Sequence, residues 1–252
     1  MRTIIWIFTA IIFLIVVSFV GYNYFTAPST DQIDSIKGLV IIGRQYVNDE
    51  EIDMSKISND TDSPNVQVLH ILGEYYARLQ KDTRALKDQK NQLLILSQPR
   101  NLAASQTLDV SLQRVDDYDK KVAEMRTDLL ANLDDHSAKL AAIKKVKGLV
   151  FDTVLMSEKL AQKKTRVEDE VKLYAGVSQY VRALLQFAKS RTGYVVLKND
   201  GNLYFSNPAD QDYYSKLVYG LNQFMGKIDD YNTQDINEIR KQDTDLGRAI
   251  NF

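Results

Sequence analysis

The chain has 252 residues, 32 basic against 33 acidic side chains, and no cysteine. That excludes disulfides, thiolate metal sites, cysteine nucleophiles and a lipoprotein anchor. The near balance of charge, without a long block of one sign, argues against a nucleic-acid partner.

The first element is an apolar run, Ile4 to Val20, continued without a charge to Phe25 and interrupted only by Thr9, Ser18 and Asn23. As a helix, those twenty-two or so residues reach roughly 33 Å, enough to cross a hydrocarbon core. Trp6 stands near one end and Tyr22 and Tyr24 near the other, where amphipathic rings favour the headgroup layer. Arg2 precedes the run and Asp31 and Asp34 follow it, so the positive-inside rule predicts Met1 in the cytoplasm and the remainder outside. A cleaved signal peptide is the rival. It ordinarily has a shorter apolar stretch and small residues at its cleavage site, whereas Ala27 has Phe25 before it and Pro28 after; Val16 and Ser18 offer a poorer second site.

A juxtamembrane helix is predicted from Asp31 to Val47, capped by Thr30, with Ile33, Ile36, Val40 and Val47 on one side. The acidic, polar stretch Asn48 to Ser63 reads as a linker. Ser63 and Pro64 then supply an N-cap and a first helical position. Leu72, Leu79, Leu86 and Leu93 recur every seven residues, yet Tyr76, Thr83 and Lys90 make a polar companion row. That row favours an amphipathic bundle helix over a dimeric zipper.

After Pro99 a third helix carries Val115, Tyr118, Val122, Met125, Leu129, Leu133, His136, Leu140 and Ile143, a heptad seam with one stutter. Lys144, Lys145 and Lys147 before Gly148 predict its end and a hairpin there. A fourth helix, Asp152 to Ser190, shows Leu160, Val167, Val171, Tyr174, Val181 and Leu185, with a break near Lys164 as an alternative because Thr165 and Glu168 form a capping-box pair. The period changes next. Tyr194 to Leu197 and Leu203 to Phe205, around Asn199-Asp200-Gly201, predict a β-hairpin at 194–206. Asn207 and Pro208 open a last helix with Leu217, Leu221, Phe224, Ile228 and Tyr231 on its apolar face, and a phase shift near Asn232 and Thr233. The chain ends without a second apolar span.

The predicted protein is mainly α: a single N-terminal transmembrane helix (1–25), a juxtamembrane helix and polar linker (26–63), and an elongated antiparallel bundle of about four long helices with one small β-hairpin (64–252). Its expected place is the cell (inner) membrane, anchored through residues 4–25, with the C-terminal domain extracytoplasmic, periplasmic in a bacterium.

Candidate chemistry is sparse. His136 falls on the seam of its helix, as a pH-sensitive group or as a polar residue that sets register; with His70 on another helix it makes a weak metal pair. Asp116, Asp117 and Asp119, and Asp134 with Asp135, point in different directions on a helix and read as solvated faces. Asp229, Asp230, Asn232 and Asp235 lack the glycine and terminal glutamate of a calcium loop. No phosphate loop, Gly-x-Ser-x-Gly or His-Glu-x-x-His is present. No cofactor, metal or catalytic residue is assigned, and the chain is not expected to be an enzyme. Tyr194, Tyr204, Phe205, Tyr213 and Tyr214 gather around the hairpin, and tyrosine favours interfaces as well as cores. The expected function is a non-enzymatic envelope protein whose bundle is a structural or protein-interaction module, binding a protein partner or itself. The alternative is an extracytoplasmic bundle that senses a small molecule and signals through a separate membrane partner.

Overall fold

The structure, a computed structural model, describes residues 30–57, 60, 62–146 and 148–250, the side chains of 31, 47 and 231–250 excepted. The predicted span at 4–25 lies outside the described residues. Among those described, no helix is long and apolar enough to cross a membrane. In order they form α1 (Thr30–Val47), α2 (Pro64–Leu96), α3 (Pro99–Ala103), α4 (Leu108–Ala142), α5 (Thr153–Gln162), α6 (Lys164–Ser190), β1 (Val195–Leu197), β2 (Leu203–Phe205) and α7 (Pro208–Ile250). The protein is therefore mainly helical, with one small antiparallel sheet.

The described residues divide into two compact units: unit 1 takes 30–83, 128–167 and 231–250, and unit 2 takes Arg84–Thr127 and Glu168–Asp230. In unit 1 the predicted stripes are buried. Leu72 and Leu79 of α2 and Leu129, Leu133 and Leu140 of α4 are all removed from water, as is Tyr76 of the row that looked too polar for a seam. On α1 the buried side is Ile36, Leu39, Ile42 and Tyr46, a stripe rotated from the one the sequence suggested.

Residues 48–57 of the expected linker at 48–63 are a packed segment of unit 1. Asp49 turns the chain at a φ of +57°, Met54–Lys56 make a 3₁₀ turn whose start is capped by the Asp53 carboxylate accepting from Ser55 N, and Ile52 and Ile57 are buried. Two side-chain amides pin it: Gln80 Nε2 donates to Glu50 O at 2.9 Å and Asp53 N donates to Gln45 Oε1 at 3.1 Å. Its polar composition hid two apolar anchors.

Two boundaries differ from expectation. Helix α4 ends at Ala142 rather than after Lys147, and Gly148, at a φ of +96°, turns a loop instead of capping a helix. The Gly148 carbonyl accepts from Gln32 Nε2 (3.2 Å) and Asn65 Nδ2 (3.0 Å), while Asn65 Oδ1 accepts from Val150 N (2.9 Å). These bonds replace the helical ones that the loop gives up and seat Val150 and Phe151 in the interior. The predicted fourth helix is two, separated at Lys163, so the alternative break is the one adopted. Asp152 caps α5 through Leu155 N.

Unit 2 has a core drawn from Leu86 and Leu93 of α2, Val115, Tyr118 and Val122 of α4, Tyr174, Val181 and Leu185 of α6, the hairpin, and Leu221 and Ile228 of α7. Helices α6 and α7 exchange aromatic rings for glycines. A Cβ on Gly176 would stand 2.1 Å from the Phe224 ring, and one on Gly220 would stand 2.2 Å from the Tyr180 ring; the two rings themselves lie 5.5 Å apart. Ion pairs close the rim. Arg182 reaches Asp116 at 2.6 Å and Asp119 at 2.8 Å, Arg126 grips Glu168 through two nitrogens, and Lys189 meets Asp109. Two of the aspartates that read as a solvated face thus converge on one guanidinium.

Truncating a seam residue tests this packing. Leu72→Ala, at a fully buried position of α2, is expected to lower unfolding free energy by about 2–5 kcal/mol, measured from the urea midpoint at unchanged slope.

Candidate functional site

The hairpin of unit 2 is built from local chemistry. Asp200 Oδ1 accepts from Asn202 N and Gly201 takes a φ of +80°, which only glycine adopts without strain, so the chain reverses between Lys198 and Asn202. The register pairs Val195 with Phe205, Val196 with Tyr204 and Leu197 with Leu203. Because side chains alternate along a strand, this puts Leu203 and Phe205 on one face and Tyr204 on the other. Leu203 and Phe205 are buried; Phe205, only 8% exposed, lies 5.1 Å from the Phe187 ring and 5.3 Å from Tyr214. Gln211 Oε1 accepts from Phe205 N, Arg191 Nε donates to Asp210 Oδ2 at 2.8 Å, and Asn207 Oδ1 caps α7 through Ala209 N, as its pairing with Pro208 predicted. The two-stranded ribbon is thereby seated on α6 and α7 of its unit.

The outer face is different. Tyr194 is 64% exposed and Val196 57%, with Tyr204 beside them, and α7 adds Tyr213 and, at 67%, Tyr219; Leu197 shares the face of Leu203 but is exposed at the end of β1. Tyr204 donates its hydroxyl to Asp200 Oδ2 at 2.8 Å, and the Lys198 ammonium lies 3.7 Å from its ring centroid. The Tyr204 hydroxyl is raised above its ordinary pKa, first by that hydrogen bond to Asp200 and then by the carboxylate's charge. Of the five candidate residues, Tyr194, Tyr204 and Tyr213 are thus presented to solvent, Tyr213 with one edge against Phe187. Phe205 is a core residue, and Tyr214 is half-buried against it. Val196, Leu197 and Tyr219 belong with the exposed set; the strand alternation that pairs Val196 with Tyr204 was the signal for the first of them.

His136 belongs to unit 1. It is 3% exposed, its Nδ1 donates to Asn132 O at 2.9 Å, and its ring lies 5.5 Å from Tyr75. Asn132 and Tyr75 are fully buried as well. The Asn132 amide, the Tyr75 hydroxyl and His136 Nε2 have no protein hydrogen-bond partner among the described residues. Burial pushes the imidazole below its ordinary pKa and outweighs the Asn132 carbonyl and the Asp135 and Glu74 charges that act the other way; Lys139 lowers it further. His136 is a neutral seam residue in a polar pocket of the interior, and His70 remains half-buried on α2. Among the described residues no three His, Asp or Glu side chains gather as metal ligands.

Comparison with protein-family models, with curated proteins and with solved structures gives no match. The reading of this surface rests on its own chemistry.

The depressed pKa of His136 has a signed consequence. The fold favours the neutral ring, while the unfolded chain takes up a proton near pH 6.5, so the contribution to stability is complete above that pH and is lost as pH falls through the lowered folded value. The thermal midpoint of the full-length chain is expected to drop by a few degrees between pH 7.5 and 5.5, and His136→Leu to flatten that drop. An unchanged slope in the variant would assign the acid sensitivity elsewhere.

Proposed function

We propose that this protein is a non-enzymatic, membrane-anchored module of the cell envelope, held through residues 4–25 in the inner membrane with its helical domain outside the cytoplasm, and that it binds another protein through the outer face of the 194–206 hairpin. The observation that carries the reading is the exposure of Tyr194, Val196 and Tyr204 on one side of a ribbon whose opposite side seats Leu203 and Phe205 in the core. Large exposed apolar groups set close together are uncommon on a surface that meets only water, and tyrosine suits an interface because it joins apolar area to a hydrogen-bonding tip. The anchor is supported by the length of the uncharged run, its aromatic ends and the charges that flank it.

Two measurements test the two halves separately. A photoreactive residue at position 204 in intact cells is expected to give one defined protein adduct that Val196→Asp abolishes, while the same probe at the exposed Glu158 of α5 gives none; adducts insensitive to Val196→Asp would remove the hairpin from the interface. A reporter active only outside the cytoplasm, fused after Phe252, is expected to be active, and activity of a cytoplasm-only reporter there instead would reverse the orientation.

A further inference from the structure

Away from the hairpin, unit 2 holds a cleft of about 440 Å³ between α2 and α4, within the size range of small-molecule sites and too small for a folded partner. Its apolar wall is formed by Leu93 and Leu96 of α2 and the ring of Tyr118 of α4, with Gln92 alongside. The facing polar groups come from α4: Arg114 and Lys121, seven residues and two turns apart on one helix face, with Asp117 between them.

The charges in this cleft are arranged unlike those around it. The cations Arg126, Arg182, Arg191 and Lys189 each reach a carboxylate on another element of unit 2. Lys121 instead donates to Gln89 Oε1 at 3.2 Å, and Asp117 accepts from Gln113 Nε2 at 3.4 Å. Arg114 makes no ion pair or hydrogen bond among the described residues, although Asp117 is one turn away. The lining therefore carries an excess positive charge next to an apolar wall. Beneath it, Tyr118 is 3% exposed and its hydroxyl has no hydrogen-bond partner among the described residues.

We infer that the α2–α4 cleft binds a small organic carboxylate with an apolar or aromatic body. The carboxylate takes the planar, two-nitrogen face of Arg114, the geometry that guanidinium groups offer and ammonium groups do not. The body lies on Leu93, Leu96 and the Tyr118 ring, and Gln92 and Lys121 border the mouth. An uncharged analogue loses the contact with Arg114, and an inorganic anion loses the wall, so both parts of the ligand are required. The site lies apart from the proposed protein-binding face and stands whether or not that reading does.

The probe is 3-phenylpropionate, titrated into the purified full-length chain by calorimetry, with 3-phenylpropionamide and inorganic phosphate as comparisons. The expected result is saturable binding of the carboxylate, at least about tenfold weaker binding of the amide, as the loss of a charge-assisted hydrogen bond implies, and none of phosphate. Arg114→Gln, at an exposed position, is expected to weaken the carboxylate by about tenfold or more. Lys172→Gln, which removes the same charge from an exposed site of unit 2 that pairs with Asp169, should leave it unchanged. No saturable binding of the carboxylate, equal binding of the amide, or equal loss in the two variants overturns the inference.

Discussion

With no cysteine to cross-link it, this protein has only burial to set against the entropy of an ordered chain. The burial is concentrated in side chains three and four residues apart on α2, α4 and α6, and almost every other feature is arranged so that those seams close. The ring-for-glycine exchange between α6 and α7 brings two backbones near enough for Tyr180 and Phe224 to lie across them. The ion pairs of Arg126, Arg182 and Lys189 stand at the rims of the apolar seams, half-exposed. Pairs in such positions contribute little to stability but do fix which helix faces which.

The same dependence explains why unit 1 tolerates a polar pocket. Tyr75, Asn132 and His136 occupy positions where the helical period calls for apolar groups, and the Tyr75 hydroxyl, the Asn132 amide and His136 Nε2 have no protein partner among the described residues. Their burial is what pushes the imidazole below its ordinary pKa. Specificity and stability pull in opposite directions here, because a buried amide accepts few arrangements of its neighbours while an apolar residue accepts many.

Much of the fold was legible because the signals were local. Ser63 with Pro64, and Asn207 with Pro208, mark helix starts through groups one to three residues apart. The α4 seam from Val115 to Leu140 is a heptad period with one stutter. The hairpin follows from Asn199-Asp200-Gly201 between two short apolar runs. What escaped was set by side chains outside the local pattern: α4 stops at Ala142 because amides of Gln32 and Asn65, more than eighty residues away in the chain, hold Gly148, and residues 48–57 pack because Gln45 and, from thirty residues on, Gln80 bind their backbone. Membership of the candidate surface was half legible. Gathering the hairpin tyrosines by position found Tyr194, Tyr204 and Tyr213 and also took in Phe205, which the strand alternation turns inward. The cleft left no trace, since Arg114 and Leu93 meet only once α2 and α4 are in register.

The clip around Tyr204 carries a consequence for recognition. Its ring already lies under the Lys198 ammonium and its hydroxyl already bonds the Asp200 carboxylate, so the binding proposed for this face would cost less rotamer entropy than ordering a swinging side chain. Each restraint rests on one charged group in open solvent, where salt screens it. The order of the hairpin's outer face is thereby tied to ionic strength: the ring is held firmly in dilute surroundings and more loosely in brine.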